Sequence, residues 1–336
     1  MKTILIFGAT GGIGAYTALH LHENKYTIIA VGNRKDDNGF FEQYGIKYYS
    51  IDIADYTTFS VLPSIDVDVV INFAGVLPAR NYNPRLFINT FTMGTLNVLE
   101  YMQKVGCKKI ISAQTPADLW YLQNTTEPMS ADAQRSFPPS TDHSIYTIAK
   151  NAAIDITEYY HNTYNIDRFI LRFFNVYMYH PNPYYHVDGK KRMISFRLLM
   201  DRARKGDSIE VWGDPSRSKE MLYVKDLAKL VENIINTDIS GGIYNVGSIH
   251  QVSLEEQIDG IIDVFTTEKK SKKIYCPEKP NALFNHLDIS KTIEELNYSP
   301  SYSYIDWLRD FKYEEEQNRF SKLWGERSDY ETENID

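Results

Sequence analysis

Apolar residues along this chain fall into short runs separated by longer stretches of helical period. KTILIF (2–7), YTIIAV (26–31), IKYYSIDI (46–53), VDVVINFAG (67–75), KKIIS (108–112) and DRFILRFFNV (167–176) read as strands. Between them, Tyr16–Asn24, Thr95–Val105 and Tyr146–Asn162 read as helices. Strands and helices alternating in this way predict a parallel sheet wrapped by helices. A polar, proline-bearing segment from Thr115 to Ser144 breaks the rhythm, and long connections of this kind usually carry function. Beyond Asn175 the pattern turns irregular, with a Pro/Tyr-rich loop (179–191), a helix over Ile194–Lys205, short strands and late helices.

Composition narrows the picture. The 336 residues suit two domains sharing a large core, and 43% hydrophobic with 24% charged residues is ordinary globular usage. A net charge of −8 without a clustered basic face speaks against nucleic acid as a partner. Cys107 and Cys276 lack any ligand spacing, so neither a disulfide framework nor a metal site is expected, and a reducing compartment fits. The apolar start is too short for a signal peptide or a membrane span, so the expected location is cytoplasmic.

The first strand runs straight into Gly8-x-x-Gly11-x-x-Gly14, and a helix begins near Ile13. Glycines there let the chain turn sharply, bring backbone amides up to a pyrophosphate and pack helix on strand. The loop residues Gly8, Thr10, Gly11, Gly12, Ile13 and Gly14 are therefore expected to contact a dinucleotide, with a methyl group at Gly11 in the way. The second strand ends in Gly32, Asn33, Arg34 and Lys35, where an NAD site usually carries a carboxylate. A guanidinium suits a 2′-phosphate, so Arg34 favours NADP over NAD, with Lys35 as a helper and Asn33 also expected to contact the cofactor.

Tyr146 and Lys150 stand four residues apart on a predicted helix, hence one turn apart on one face. A nearby ammonium and a nicotinamide cation would lower the phenol from its ordinary value near 10, making Tyr146 an acid/base and Lys150 its partner. The same spacing at Tyr275 and Lys279 is interrupted by Pro277, against a helix interior.

The glycine loop, Asp52-Ile53, NFAG (72–75), Gly94-Thr95, Tyr146-x-x-x-Lys150, LRFFNVY (171–177), IEVWGD (209–214), YVKDLA (223–228), YNVGS (244–248) and DISK (288–291) together resemble the extended short-chain dehydrogenase/reductase family. The resemblance covers about residues 1 to 310 and looks like its NAD-dependent epimerase/dehydratase branch, which acts mostly on nucleotide sugars. It implies an α/β fold: a Rossmann doubly wound parallel sheet with a smaller mixed α/β C-terminal substrate domain. The expected boundaries are 1–175 with about 220–245 for the NAD(P)-binding domain, 176–219 with 246–322 for the substrate domain, and 323–336 as a solvated acidic tail.

The same resemblance implies that Asp52 and Ile53 flank the adenine, that Ala74 and Gly75 line the cofactor, and that Lys150 also binds the nicotinamide ribose. Asn175 and Lys219, with Arg217 close by, would contact the substrate diphosphate, Lys219 standing where the family usually has arginine. The family's catalytic Ser or Thr after the fifth strand falls on Gln114 in an ungapped reading and on Thr115 after a one-residue adjustment. Pro116 and Ala117 replace the Asp-Glu pair of sugar dehydratases, so elimination of water is disfavoured. Met178 replaces the usual glycine, and His180 and His186 are read as exposed loop residues. The implied activity is hydride transfer on a nucleotide sugar, by reduction or epimerisation, with Arg34 tilting toward a reductase, in a homodimer paired through the Tyr/Lys helix. A cofactor-binding sensor or scaffold without catalysis, and a reductase of a non-nucleotide carbonyl compound, are the alternatives.

Overall fold

The computed structural model describes residues 1–64, 67–78, 83–123, 125, 127–140, 143–187, 190–281 and 286–331. Seven strands form one sheet: β1 (Thr3–Phe7), β2 (Thr27–Gly32), β3 (Lys47–Ser50), β4 (Val69–Asn72), β5 (Lys109–Gln114), β6 (Asp167–Arg172) and β7 (Gly241–Asn245). Their spatial order is 7-6-5-4-1-2-3, with every pairing parallel. The chain winds outward from β1 to β3, returns to β4 and winds outward the other way. The carboxyl ends of β1 and β4 therefore flank the point where strand order reverses, the place where open α/β sheets bind ligands.

The longer helices are α1 (Gly12–Glu23), α2 (Gly94–Val105), α3 (Ser144–Tyr164), α4 (Ser195–Lys205), α5 (Val224–Asn236), α6 (Leu254–Phe265) and α7 (Tyr304–Gln317). Side chains of β1 alternate between the two covered faces. Ile4 and Ile6 join the core that holds Ala15 and Leu19 of α1 and Leu227 and Val231 of α5. Leu5 and Phe7 join the core of Val98, Leu99 and Met102 from α2 with Tyr160 from α3.

Much of the second lobe's apolar interior is continuous with the core under the sheet. Met200, Ile209, Val211, Trp307 and Phe311 continue the cluster that begins at Ile4 and Ile6, so α4, α6 and α7 are fastened to the α1/α5 face. Within this lobe Ile209–Trp212 pairs with Lys273–Cys276, and Ser253 and Glu256 cap α6 reciprocally.

The chain end departs from the solvated tail expected from residue 323. Leu323 and Trp324 are buried, 1% and 3% exposed, and Trp324 Nε1 donates to the Thr10 carbonyl at 2.9 Å. Phe320 lies 4.6 Å from the Tyr16 ring and 5.5 Å from Phe40. The acidic composition of this stretch hides two apolar anchors, Leu323 and Trp324, and burying such side chains outweighs the charge pattern around them. Residues 332–336 of that tail lie outside the described residues.

Candidate active site

The sheet's switch point is lined by the glycine loop. Gly8 has φ +79°, and a methyl group there would stand 2.6 Å from the Ala74 nitrogen and the Phe73 carbonyl carbon. A methyl group at Gly14 would meet the Gly8 carbonyl oxygen at 2.2 Å. Glycine at these two positions lets the loop lie against the chain leaving β4 and lets α1 close on β1. At exposed Gly11 the fold itself is more tolerant, since a methyl group meets only the Gly8 oxygen at 3.3 Å; its constraint faces outward.

The amide of Ala15 bonds to the Gly11 carbonyl, which starts α1, and no side chain caps that helix. Its first amides and the positive end of its dipole therefore face the loop, which suits an anionic pyrophosphate. These residues fit a dinucleotide. Asp52 and Gly75 are exposed at the same edge, Ala74 is half-buried, and Ile53 is buried where a methyl group on Gly94 would touch it at 3.0 Å.

Asn33 is exposed, but Arg34 has a different engagement from the one expected. Its Nη1 donates to the carbonyl of Leu323, so a backbone acceptor from the chain end holds the group assigned to a 2′-phosphate. The expectation of NADP rested on a guanidinium suited to a 2′-phosphate, and this contact gives that preference no support.

At the end of β5 the candidate catalytic groups converge. The Thr115 hydroxyl accepts from the Ala117 amide at 3.2 Å and stands on the Tyr146 side of the strand end. Burial pushes the Tyr146 phenol up to about 12, against a smaller lowering influence of Thr115. Lys150 Nζ donates to the Ala113 carbonyl at 2.7 Å and sits 4.6 Å from the Phe91 ring centre. Burial alone pushes this ammonium down to about 8. The lysine therefore ties α3 to β5.

Phe91 is a site residue that sequence reasoning missed. It packs edge-on against Tyr146 at 5.3 Å, carries the Lys150 ammonium, and would touch a methyl group on Gly75 at 3.0 Å. A six-residue stretch of wider, π-helical winding (Ile88–Met93) presents it, a local geometry frequent at functional sites and invisible to a 3.6-residue period.

Gln114 is occupied elsewhere. Its Nε2 donates to Asn151 Oδ1 at 3.0 Å and to Asp118 Oδ2 at 3.2 Å, and Asp118 is paired with Arg172 at 2.9 Å, both side chains fully buried. Arg172 continues to Asn245 at 3.1 Å. Gln114 thus joins the strand bearing Thr115 to the helix bearing Tyr146, and Asp118 is locked in an ion pair away from acid/base duty.

On the opposite lobe, Val176–Tyr177 pairs with Leu222–Tyr223, placing exposed Asn175 beside the strand that follows Lys219. Lys219 Nζ lies 5.7 Å from the Tyr177 ring centre. Arg217 Nε is buried without a hydrogen-bond partner among the described residues. Met178 packs its sulfur over the glycine loop, 2.5 Å from where a methyl group on Gly12 would stand. His180 is half-buried and stacks on Trp324 at 4.5 Å, unlike the exposed residue expected, while His186 is exposed. Among the described residues no cluster of His, Cys, Asp and Glu could hold a metal ion.

A parallel sheet with a glycine loop at its switch point, and a Tyr/Thr/Lys group at its carboxyl edge, defines a dinucleotide-dependent α/β protein. Residues 4–247 match the model of the NAD dependent epimerase/dehydratase family, and the chain belongs to that family. It is 27% identical over 302 residues to a putative UDP-glucose 4-epimerase of Methanocaldococcus jannaschii, covering 88% of this chain and 93% of the relative. It is 26% identical to the UDP-glucuronate 4-epimerase of Thermodesulfobacterium geofontis, covering 92% and 94%. Among solved structures it resembles the UDP-glucose 4-epimerase of Thermotoga maritima with UDP-glucose, with TM-score 0.74, 21% identity and coverage of 94% and 99%. The UDP-glucuronic acid 4-epimerase of Bacillus cereus in complex with NAD gives TM-score 0.70 at 19% identity, covering 96% and 100%.

Proposed function

We propose that this chain is a UDP-sugar 4-epimerase that works with NAD and exchanges the proton of the sugar's 4-hydroxyl with Tyr146. The observation that carries the reading is the convergence of Tyr146, Lys150 and Thr115 at the end of β5, with Phe91 packed edge-on against the Tyr146 ring at 5.3 Å. NAD, when bound, supplies a hydride acceptor and a positive charge. The chain's own task is to hold one proton. As a phenolate Tyr146 would take the 4-hydroxyl proton while the C4–H bond breaks, and as the resulting phenol it would return that proton to the carbonyl oxygen. Thr115 gives the reacting oxygen a second hydrogen-bonding partner, and Lys150 fixes α3 against β5 so that Tyr146 and Thr115 stay in register.

The diphosphate falls to Arg217, Lys219 and Asn175. A buried guanidinium N–H without an acceptor is costly, and an anionic ligand removes that cost. With Arg34 engaged by Leu323, the argument for a reductase using NADPH lapses. The protein is further proposed to be cytoplasmic; no helix among the described residues is long and apolar enough to cross a membrane. Dimerisation would use α2 and α3, where Ile148 and Tyr159 of α3 are exposed together with Met93 just ahead of α2.

The test is incubation with UDP-glucose and with UDP-glucuronate in the presence of NAD, with separation of the products. One of them should give its 4-epimer without net consumption of cofactor. Tyr146→Phe should lower kcat by about 10³-fold and Thr115→Val by about 10²-fold. Steady oxidation of NADPH by a keto sugar, or a fully active Tyr146→Phe, contradicts the reading.

A further inference from the structure

Arg34 stands at the end of β2, where the group that reads the adenosine ribose is usually found. The bond from its guanidinium to the Leu323 carbonyl belongs to a larger attachment. Asn38 Nδ2 donates to the Lys322 carbonyl at 2.9 Å, and the Trp324 indole donates to Thr10 on the phosphate loop at 2.9 Å. Phe320 and Trp324 stack on each other at 4.3 Å, with Tyr16 of α1 beneath Phe320 and His180 against Trp324. Farther on, Arg327 pairs with Asp201 of α4 at 2.5 Å, so the same segment grips both lobes.

The charges beyond Arg34 are mixed. Lys35 follows it, then Asp36 and Asp37, and both carboxylates press on the Tyr48 phenol, whose hydroxyl donates to the Arg34 carbonyl at 2.7 Å. A 2′-phosphate here would meet two carboxylates as well as Lys35, with the Arg34 guanidinium already shared with a carbonyl.

We infer that Phe320–Trp324 is a specificity-determining strap, which holds the Arg34 guanidinium on Leu323 and so makes the dinucleotide site select NAD over NADP. The inference rests on the proposed function only in that the glycine loop binds a dinucleotide. Loosening the strap frees Arg34, and the freed guanidinium then favours the 2′-phosphate.

Calorimetric titration of NADH and NADPH into the full chain tests this, using wild type, Arg34→Ala, Trp324→Ala and the double variant, with circular dichroism to check folding. Wild type should prefer NADH by about tenfold or more, and Arg34→Ala should leave NADPH affinity within about twofold. Trp324→Ala, which removes the bond to Thr10, should shift the preference toward NADPH by about tenfold, and the double variant should lose that shift. A wild type that prefers NADPH, an unchanged ratio in a folded Trp324→Ala, or a gain that survives in the double variant overturns the strap. Should Trp324→Ala fail to fold, Arg34→Ala decides: unchanged NADPH affinity upholds the inference and a tenfold loss overturns it. Absence of binding by either dinucleotide overturns the proposed function and the strap together, whereas equal binding of both overturns the strap alone.

Discussion

Lys150 illustrates what residue spacing determines and what it leaves open. The i, i+4 spacing puts it one turn from Tyr146, yet its nitrogen goes to the Ala113 carbonyl and the Phe91 face. Burial pushes its ammonium down to about 8 from the ordinary 10.5, so the folded chain releases this proton before the unfolded chain does. Between those two values the unfolded state holds more protons and stability rises with pH; below about 8 the folded state carries the full cost of the buried charge. Lys150→Met should therefore be more stable than wild type in urea at pH 7, by roughly 1–3 kcal/mol, with the gain disappearing above about pH 10.5. Equal stability at pH 7 would mean that the ammonium is not desolvated. Tyr146 and Lys150 were legible because a helix fixes their separation. The choice between Gln114 and Thr115 was not, because it depends on where β5 stops. The strand runs through Gln114, whose amide turns inward to Asn151 and Asp118, and Thr115 is the first residue beyond it. Phe91 gave no signal at all, since nothing in a lone aromatic residue announces what its ring will face.

At the scale of elements, α1 and the strands beside it were readable from apolar runs, because both sheet faces are covered and the strands need no polar alternation. The glycine loop was readable because its spacing follows from helix-on-strand packing, although the sharp steric demand falls on Gly8 and Gly14. Gly14→Ala should cost at least about 2 kcal/mol in urea unfolding, because α1 cannot close on β1 with a methyl group 2.2 Å from the Gly8 oxygen. Gly11→Ala should leave stability within about 1 kcal/mol and weaken dinucleotide binding instead. A Gly14→Ala protein as stable as wild type would show that the packing is looser than described. The wide turn at Ile88–Met93 escaped the sequence because its winding departs from the helical period that reveals ordinary helices.

At the scale of the whole molecule, the two lobes share one apolar cluster and are further joined by the chain's end. Arg327 on Asp201 and Trp324 on Thr10 connect the second lobe to the glycine loop through one short segment. Composition misread that segment because charge dominates its average while two apolar anchors, Leu323 and Trp324, determine its position. In the proposed reaction the sugar must meet the hydride acceptor and Tyr146 at once, and this joint scaffold would hold them together. The most direct measurement is the fate of deuterium placed at C4 of the UDP-sugar that turns over. The account predicts that the 4-epimer keeps its deuterium through turnover in ordinary water, because the hydride leaves C4 and returns to it. Loss of the label to solvent, or its appearance in released reduced cofactor, would contradict it.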